Sequence, residues 1–250
     1  MVDLALKQAF IAWNSQRLNI SLTESFARYQ KSWNLFPNGH GGVEYRNFCG
    51  LVHDTFSVFH SDAETEVLES YRIHAELHLL RMLSYRVPDW KMNDPVIEHL
   101  KSKQDCTVVD YGCGLGHSSI SLCIFLGEIG INCNIVLVDV PSIKLEFLRW
   151  YVRQLKINSS ILECTLDAPI PSLPKSDFVI ATEVFEHIHD PMPQLLAIDQ
   201  SLRSQGMLYT NLGLHEQEFF HVCPDLSFLK QDLLGKNYAE IRRNILFQKP

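Results

Sequence analysis

Val108-Val-Asp-Tyr-Gly-Cys-Gly-Leu-Gly-His117 is the stretch whose reading decides the fold. It begins as a short apolar run of the kind that forms a buried strand. It then closes on three alternating glycines, Gly112, Gly114 and Gly116, and the run Ser118–Gly130 that follows reads as a helix. Strand, glycine turn and helix in succession bring backbone N–H groups up to a nucleotide-like ligand. Glycine suits the turn because it accepts positive φ and lets a ligand approach without a Cβ in the way. Gly-x-Gly-x-Gly alone is a weak signal, so its meaning depends on the flanks.

Downstream, β-rich runs alternate with helical ones. The spacing predicts strands at Thr107–Tyr111, Asn134–Val138, Ser160–Cys164, Phe178–Thr182 and Met207–Thr210. It predicts helices at His117–Leu126, Ser142–Leu155 and Pro193–Leu202. Such alternation implies a mostly parallel sheet with right-handed crossovers, an α/β fold of the Rossmann-like type. Asp225–Lys236 reads as a further helix, and Tyr238–Ile241 with Asn244–Gln248 as a terminal hairpin closing the sheet.

Ligands in these sheets bind beyond the carboxyl ends of the strands. Asp139 ends the second strand, 23 residues after Gly116. An acid near this offset accepts hydrogen bonds from ribose hydroxyls. Asp167-Ala168 follows the third strand, where an acid can accept from an adenine amino group.

Upstream, residues 1–103 read as a helical cap and 104–250 as the ligand-binding domain. Leu6, Phe10, Trp13 and Arg17 recur at helical spacing, and Ser21-Leu-Thr-Glu24 is a capping box before Phe26, Tyr29 and Trp33. Phe36–Gly42 reads as a loop. Ser61-Asp-Ala-Glu64 is a second capping box, opening a helix to about Arg86 that Pro88 stops. Asp94-Pro95 starts a short helix. Tyr71, His74 and His78 fall on one helix face, which either packs against the neighbouring domain or lines a substrate pocket.

The formal net charge is −7 with a pI near 5.9, which argues against a broad nucleic-acid-binding surface. Seven cysteines, an odd number with no Cys-x-x-Cys, read as reduced thiols in a cytoplasmic protein. The first residues carry an acid where a secretory signal would be basic, and no apolar run approaches the roughly 20 residues of a membrane span. The expectation is a cytoplasmic protein with no membrane partner.

After the fourth strand the chain reads Ala181-Thr-Glu-Val-Phe-Glu-His-Ile-His-Asp-Pro191. Glu183, Glu186 and His187 are spaced so that a strand-to-helix turn can gather them at one end of a cleft. Two roles compete for them. His187 can act as a general base, with Glu186 beside it. Alternatively, the carboxylates and the imidazole can bind a divalent cation, Mg²⁺ or Mn²⁺, that polarises a substrate oxygen. Glu186 and His187 could also merely cap a helix. His215 in Asn211-Leu-Gly-Leu-His215, or else His221, is a distal fourth ligand for a metal. His189-Asp190-Pro191 reads as a turn.

Asp110-x-Gly-x-Gly-x-Gly116, Asp139 and Asp177-Phe-Val-Ile-Ala-Thr-Glu-Val-Phe-Glu-His-Ile-x-Asp-Pro191 together resemble class I S-adenosylmethionine-dependent methyltransferases, over about residues 100–215. The subgroup they most resemble includes the ubiquinone-pathway O-methyltransferases. A second glycine usual before the fifth strand is replaced by Gln205 in Gln205-Gly206-Met207. The resemblance implies that S-adenosylmethionine meets Asp110, Gly112, Gly114, Gly116, Asp139, Val140, Asp167, Ala168 and Glu183. The glycine loop would hold its methionine end, with Asp110 steering the loop or the ammonium. Some relatives, the ubiquinone-pathway enzymes and small-RNA 2′-O-methyltransferases, use Glu-x-x-Glu-His with a distal histidine as a metal site.

The expected function is methyl transfer to an oxygen or nitrogen of a small-molecule acceptor. The alternatives are methylation of an RNA terminus, transfer of another group from the same cofactor, and a non-catalytic partner protein that keeps the fold.

Overall fold

The structure is a computed structural model, described for residues 2–33, 79, 82, 83, 90–92, 94–165, 167–215 and 221–250. In chain order its elements are α1 (Val2–Leu18), α2 (Leu22–Trp33), α3 (Pro95–Lys101), β1 (Asp105–Tyr111), α4 (His117–Glu128), β2 (Asn132–Asp139) and α5 (Ile143–Leu155). There follow β3 (Ser159–Glu163), β4 (Ser176–Ala181), α6 (Met192–Ser201), β5 (Leu202–Thr210), α7 (Ser227–Gly235), β6 (Ala239–Arg242) and β7 (Leu246–Gln248). The Phe36–Gly42 loop, the Ser61 capping box and the Tyr71, His74 and His78 face lie outside the described residues. Of the helix expected to run on to Arg86, the described residues show Leu83 N–H donating to the Leu79 carbonyl at 3.1 Å, a helical spacing.

The chain divides into two compact units, Met1–Val87 with Ser142–Leu155, and Pro88–Pro141 with Lys156–Pro250. In the first, α1 packs on both α2 and α5 through aromatic rings. Phe147 meets Phe10 edge-on at 5.7 Å and stacks on Tyr151 at 5.6 Å between centroids. Burying such a side chain stabilises by about 1.5–3 kcal/mol. The expected Ser21 cap is present, accepting from Glu24 N–H at 3.1 Å, which satisfies one otherwise orphaned donor of α2.

The second unit is built on a seven-stranded sheet of order β3-β2-β1-β4-β5-β7-β6. The first five of these pair in parallel, and β7 runs antiparallel between β5 and β6. The expected α/β, Rossmann-like architecture is therefore present, and the terminal hairpin closes it. From β1 the chain goes outward through β2 and β3, then returns to the other side of β1 as β4. Strand order thus reverses at the carboxyl end of β1, where sheets of this kind bind ligands. Val108, Val109, Ile135, Leu137, Val138 and all of β4 are buried, as expected for strands covered on both faces.

At the opposite end of the parallel strands, near the start of β4, Asp177 is a structural tie. It accepts from Thr107 N–H at 2.9 Å and from Arg203 at 2.7 Å. Asp94 caps α3 through Val96 N–H at 2.9 Å, with Pro95 in the first turn.

One boundary needs correction. β5 begins at Leu202, five residues before the predicted start, because Arg203, Ser204 and Gln205 are polar and exposed and carry no apolar signal. The register then jumps from Ser176↔Leu202 to Phe178↔Met207. Gln205 makes that irregularity by adopting φ +63°, the conformation a glycine would take most readily. Gly206 follows with its Cα so near the Arg203 carbonyl that a Cβ would come within 2.9 Å of it. No helix among the described residues is long and apolar enough to cross a membrane.

Candidate active site

The glycine turn folds over the end of β2. Gly112 and Cys113 N–H both donate to the Val138 carbonyl, at 2.8 and 3.0 Å. All three glycines have positive φ. At Gly112 the need is double, because a Cβ there would overlap the Val184 side chain. Gly116 is the N-cap of α4 at φ +66°.

Asp139, buried at the end of β2, grips the turn directly. Its Oδ2 accepts from Gly114 N–H at 2.6 Å and its Oδ1 from Val140 N–H at 2.7 Å. Its own carbonyl accepts from Cys164 N–H at 3.0 Å, which sets the chain after β3 beside it. There Thr165 and Ala168 bond reciprocally at 3.1 and 3.2 Å, leaving Asp167 and Ala168 exposed on a tight turn.

Asp110 is buried within β1 and accepts from the Ser119 hydroxyl at 2.6 Å. Burial pushes its pKa up to about 7. The Ser119 hydrogen bond opposes that rise and the negative charge of Asp139 adds to it. Ser119 was not legible as a site residue. The available signal is a hydroxyl in the first turn of α4, three residues after Gly116.

After β4 the chain does not enter a regular helix. Glu183 takes φ +56°, and Phe185–His187 forms a single 3-10 turn before α6 starts at Met192. Neither that turn nor α6 has a side-chain cap, so Glu186 and His187 cap no helix here. Asp190 accepts from Met192 N–H at 3.3 Å, making the expected turn.

Glu186 is fully buried. Its Oε2 has no hydrogen-bond partner among the described residues, a costly state for a carboxylate. The backbone around it folds the distal histidines inward. Cys223 N–H donates to the Glu186 carbonyl at 3.0 Å, and His215 N–H to the Pro224 carbonyl at 2.8 Å. As a result, ligand atoms of Glu186, His215 and His221 all lie within 4.8 Å of one another. Glu183 and His187 stand outside that group. The His187 ring lies beside His221, with centroids 5.1 Å apart. Glu183 is exposed as a residue, yet partial burial of its carboxyl raises its pKa. The Glu186 charge adds to this, against the pull of His215, His187 and His221.

Asn211, at the end of β5, was not legible as a site residue either. It bonds Glu183 twice, accepting from its N–H at 3.0 Å and donating to its Oε1 at 2.6 Å.

A family model described as "Methyltransferase domain" matches residues 102–245. No curated protein matches the chain. Among solved structures, TehB from Haemophilus influenzae is similar at 17% identity and a TM-score of 0.48, over 62% of this chain and 61% of that one. PKMT2 from Rickettsia typhi, in complex with AdoHcy, gives 20% and 0.35, over 42% and 20%. A SAM-dependent methyltransferase from Methanosarcina mazei gives 15% and 0.46, over 62% and 97%. The chain thus spans less than two thirds of the first two of these. With more than half of its residues under the family model, the chain belongs to the methyltransferase domain family.

Proposed function

We propose that the protein transfers the methyl group of S-adenosylmethionine to an oxygen or nitrogen of a small-molecule acceptor, assisted by a divalent cation at the Glu186 cluster. The observation that carries this reading is the contact between Gly112 and Val184. It sets the glycine turn, where a methyl donor would lie, against the loop that bears Glu183, Glu186 and His187. A net charge of −7 favours a small acceptor over a polyanionic one.

The cofactor fits the residues present. The glycine turn exposes backbone, Asp139 is an anionic group at the ribose position, and Asp110 is a buried carboxylate that a nearby ammonium would hold ionised. Bound S-adenosylmethionine supplies a methyl group on a sulfonium, which leaves as a neutral thioether. The chain's part is to bind and align it.

A metal fits as well. The buried Glu186 carboxylate, with an unsatisfied oxygen and two imidazoles beside it, is a donor set suited to a first-row divalent ion. Two nitrogens and one oxygen favour Mn²⁺ over Mg²⁺. Glu186, His215 and His221 would hold the ion, which would supply Lewis acidity for a chelating acceptor such as a vicinal diol, catechol or hydroxy acid. His187, half-buried beside them, is the proton acceptor for a hydroxyl nucleophile, since imidazole exchanges protons near neutral pH. The resemblance of Glu183-Val-Phe-Glu-His187 to the ubiquinone-pathway O-methyltransferases supports a metal at this end of the sheet, although the ligand set proposed here shares only Glu186 and a distal histidine with theirs.

Calorimetry with S-adenosylmethionine is the first test. Saturable binding is expected, and no heat at millimolar cofactor overturns the proposal. Turnover of a catechol that EDTA suppresses and Mn²⁺ restores is expected next. Full activity in EDTA on metal-free protein removes the metal from it.

A further inference from the structure

We propose that Asn211 is a positioning residue that orders the metal-binding cluster, keeping Glu183 out of the donor set and fixing which nitrogen His215 presents. The proposal rests on the metal reading above and deepens it.

Asn211 bonds three of the group Glu183, Glu186, His187, His215 and His221. The orientation of its amide is set by its neighbours. Glu183 N–H can only donate, so the atom it meets at 3.0 Å is the Asn211 oxygen. The Nδ2 donor must then face the carboxylates. It gives one hydrogen bond to Glu183 Oε1 at 2.6 Å and a longer one to Glu186 Oε1 at 3.4 Å. One amide group therefore stands between two carboxylates that would otherwise repel each other, and it binds the exposed one more tightly.

The hydrogen-bond demand of Glu183 is met by Asn211 through both backbone and side chain, and its φ of +56° is held by the first of these bonds. Glu186 Oε2 has no partner among the described residues. The carboxylate left for a cation is thus that of Glu186.

The main chain of Asn211 acts on His215. Its carbonyl lies 2.9 Å from His215 Nε2. A carbonyl only accepts, so Nε2 carries the proton. The lone pair of the neutral imidazole is then on Nδ1, which lies 3.8 Å from Glu186 Oε1. An imidazole that donates through one nitrogen and ligates through the other is the usual arrangement at a metal. The sequence Asn211-Leu-Gly-Leu-His215 sets this up locally, within four residues of the end of β5.

The test compares wild type, Asn211→Ala, Glu183→Ala and the double variant. Each is titrated with Mn²⁺ by electron paramagnetic resonance, melted in EDTA, and titrated with S-adenosylmethionine. Asn211→Ala is expected to weaken Mn²⁺ binding by about 10-fold or more. Its melting in EDTA is expected to fall only by the cost of exposed hydrogen bonds that water can replace, and its cofactor affinity to stay as in wild type. Glu183→Ala is expected to lose less, and the double variant to bind Mn²⁺ like Asn211→Ala alone. Three results overturn the proposal while leaving the metal reading in place. One is wild-type Mn²⁺ affinity in Asn211→Ala. Another is full additivity of the two losses, which would make Glu183 a ligand in its own right. The third is a parallel fall in melting and cofactor binding, which would make Asn211 a residue of the fold. A wild-type protein that takes up no Mn²⁺ overturns the metal reading, and this proposal with it.

Discussion

Gly112 and Val184 are in such close contact that the isopropyl group of Val184 fills the space a Cβ on Gly112 would need. The two residues lie at the ends of adjacent parallel strands, β1 and β4, on the two sides of the strand-order reversal. Their contact fixes the spacing between the glycine turn and the loop that carries Glu183, Glu186 and His187. It is a steric relationship with no polar component, so it can be tested by volume alone. Gly112→Ala forces alanine into φ +69°, costing roughly 1–2 kcal/mol, and overpacks the contact at a further 1–3 kcal/mol or so. Adding Val184→Ala should relieve the second cost and leave the first. Urea unfolding of the two variants measures the difference, and a double variant no more stable than Gly112→Ala would rule out the steric account.

Asp139 does its structural work before any ligand arrives. Its two oxygens take the N–H groups of Gly114 and Val140, so the carboxylate shapes the turn from beneath. Asp139→Ala should lower stability by about 1–3 kcal/mol, the cost of leaving a buried donor unsatisfied. It should also weaken S-adenosylmethionine by at least the same factor in energy, because the turn and the anionic ribose contact are lost together. Asp139→Asn retains one acceptor oxygen and should fall between alanine and wild type in unfolding. If both variants bind cofactor like wild type, Asp139 has no role in the site.

The raised pKa of Asp110 makes a directional statement about stability. The unfolded carboxyl releases its proton near pH 4, whereas the folded one holds it to about pH 7. Between these values the native state binds more protons, so stability falls as pH rises through that window and the loss is complete above it. A displacement of about three units corresponds to at most roughly 4 kcal/mol. Asp110→Asn should therefore match wild type near pH 4 and exceed it at pH 8. Saturating S-adenosylmethionine should narrow that gap, since an ammonium near Asp110 favours its ionised form. Unfolding curves at several pH values check this, and a constant gap between the two proteins would place the proton elsewhere.

The sheet was legible because its strands are buried on both faces. Val108-Val109, Ile135–Val138 and Phe178–Ala181 are continuous apolar runs, and each ends on or just before a polar residue that turned out to lie at the ligand end of the sheet. The front of β5 was not legible. Arg203, Ser204 and Gln205 are polar and exposed, and the pairing there is interrupted by a bulge that Gln205 makes without glycine. Periodicity detects burial, and those residues have none. Glu186 and the distal histidines could be named from spacing, but which of them converge depends on backbone bonds between segments distant in sequence. Cys223 N–H reaching the Glu186 carbonyl is one such bond, and no local pattern announces it. Asn211 and Ser119 escaped for a related reason: an asparagine at a strand end and a serine in a first helical turn are common where no site exists.

His187 and His221 lie side by side, yet they should respond differently to removal. His221 is drawn toward Glu186 by the chain reversal that also sets His215, and its ligand atom lies within 4.8 Å of both of theirs. His187 is adjacent to Glu186 in sequence, but after the 3-10 turn its ring lies against that of His221, outside the set of ligand atoms that converge. His221→Ala should therefore weaken Mn²⁺ binding by about 10-fold or more, as loss of a donor does. His187→Ala should leave Mn²⁺ affinity within about 3-fold, far less than a lost ligand costs. Its defect should lie in kcat with a hydroxyl acceptor, and should shrink as pH rises and the acceptor ionises by itself. Mn²⁺ titration followed by kcat against pH separates the two. The reverse pattern, in which His187→Ala loses the metal and His221→Ala keeps it, would restore the contiguous Glu-x-x-Glu-His set as the ligands and leave His221 as packing.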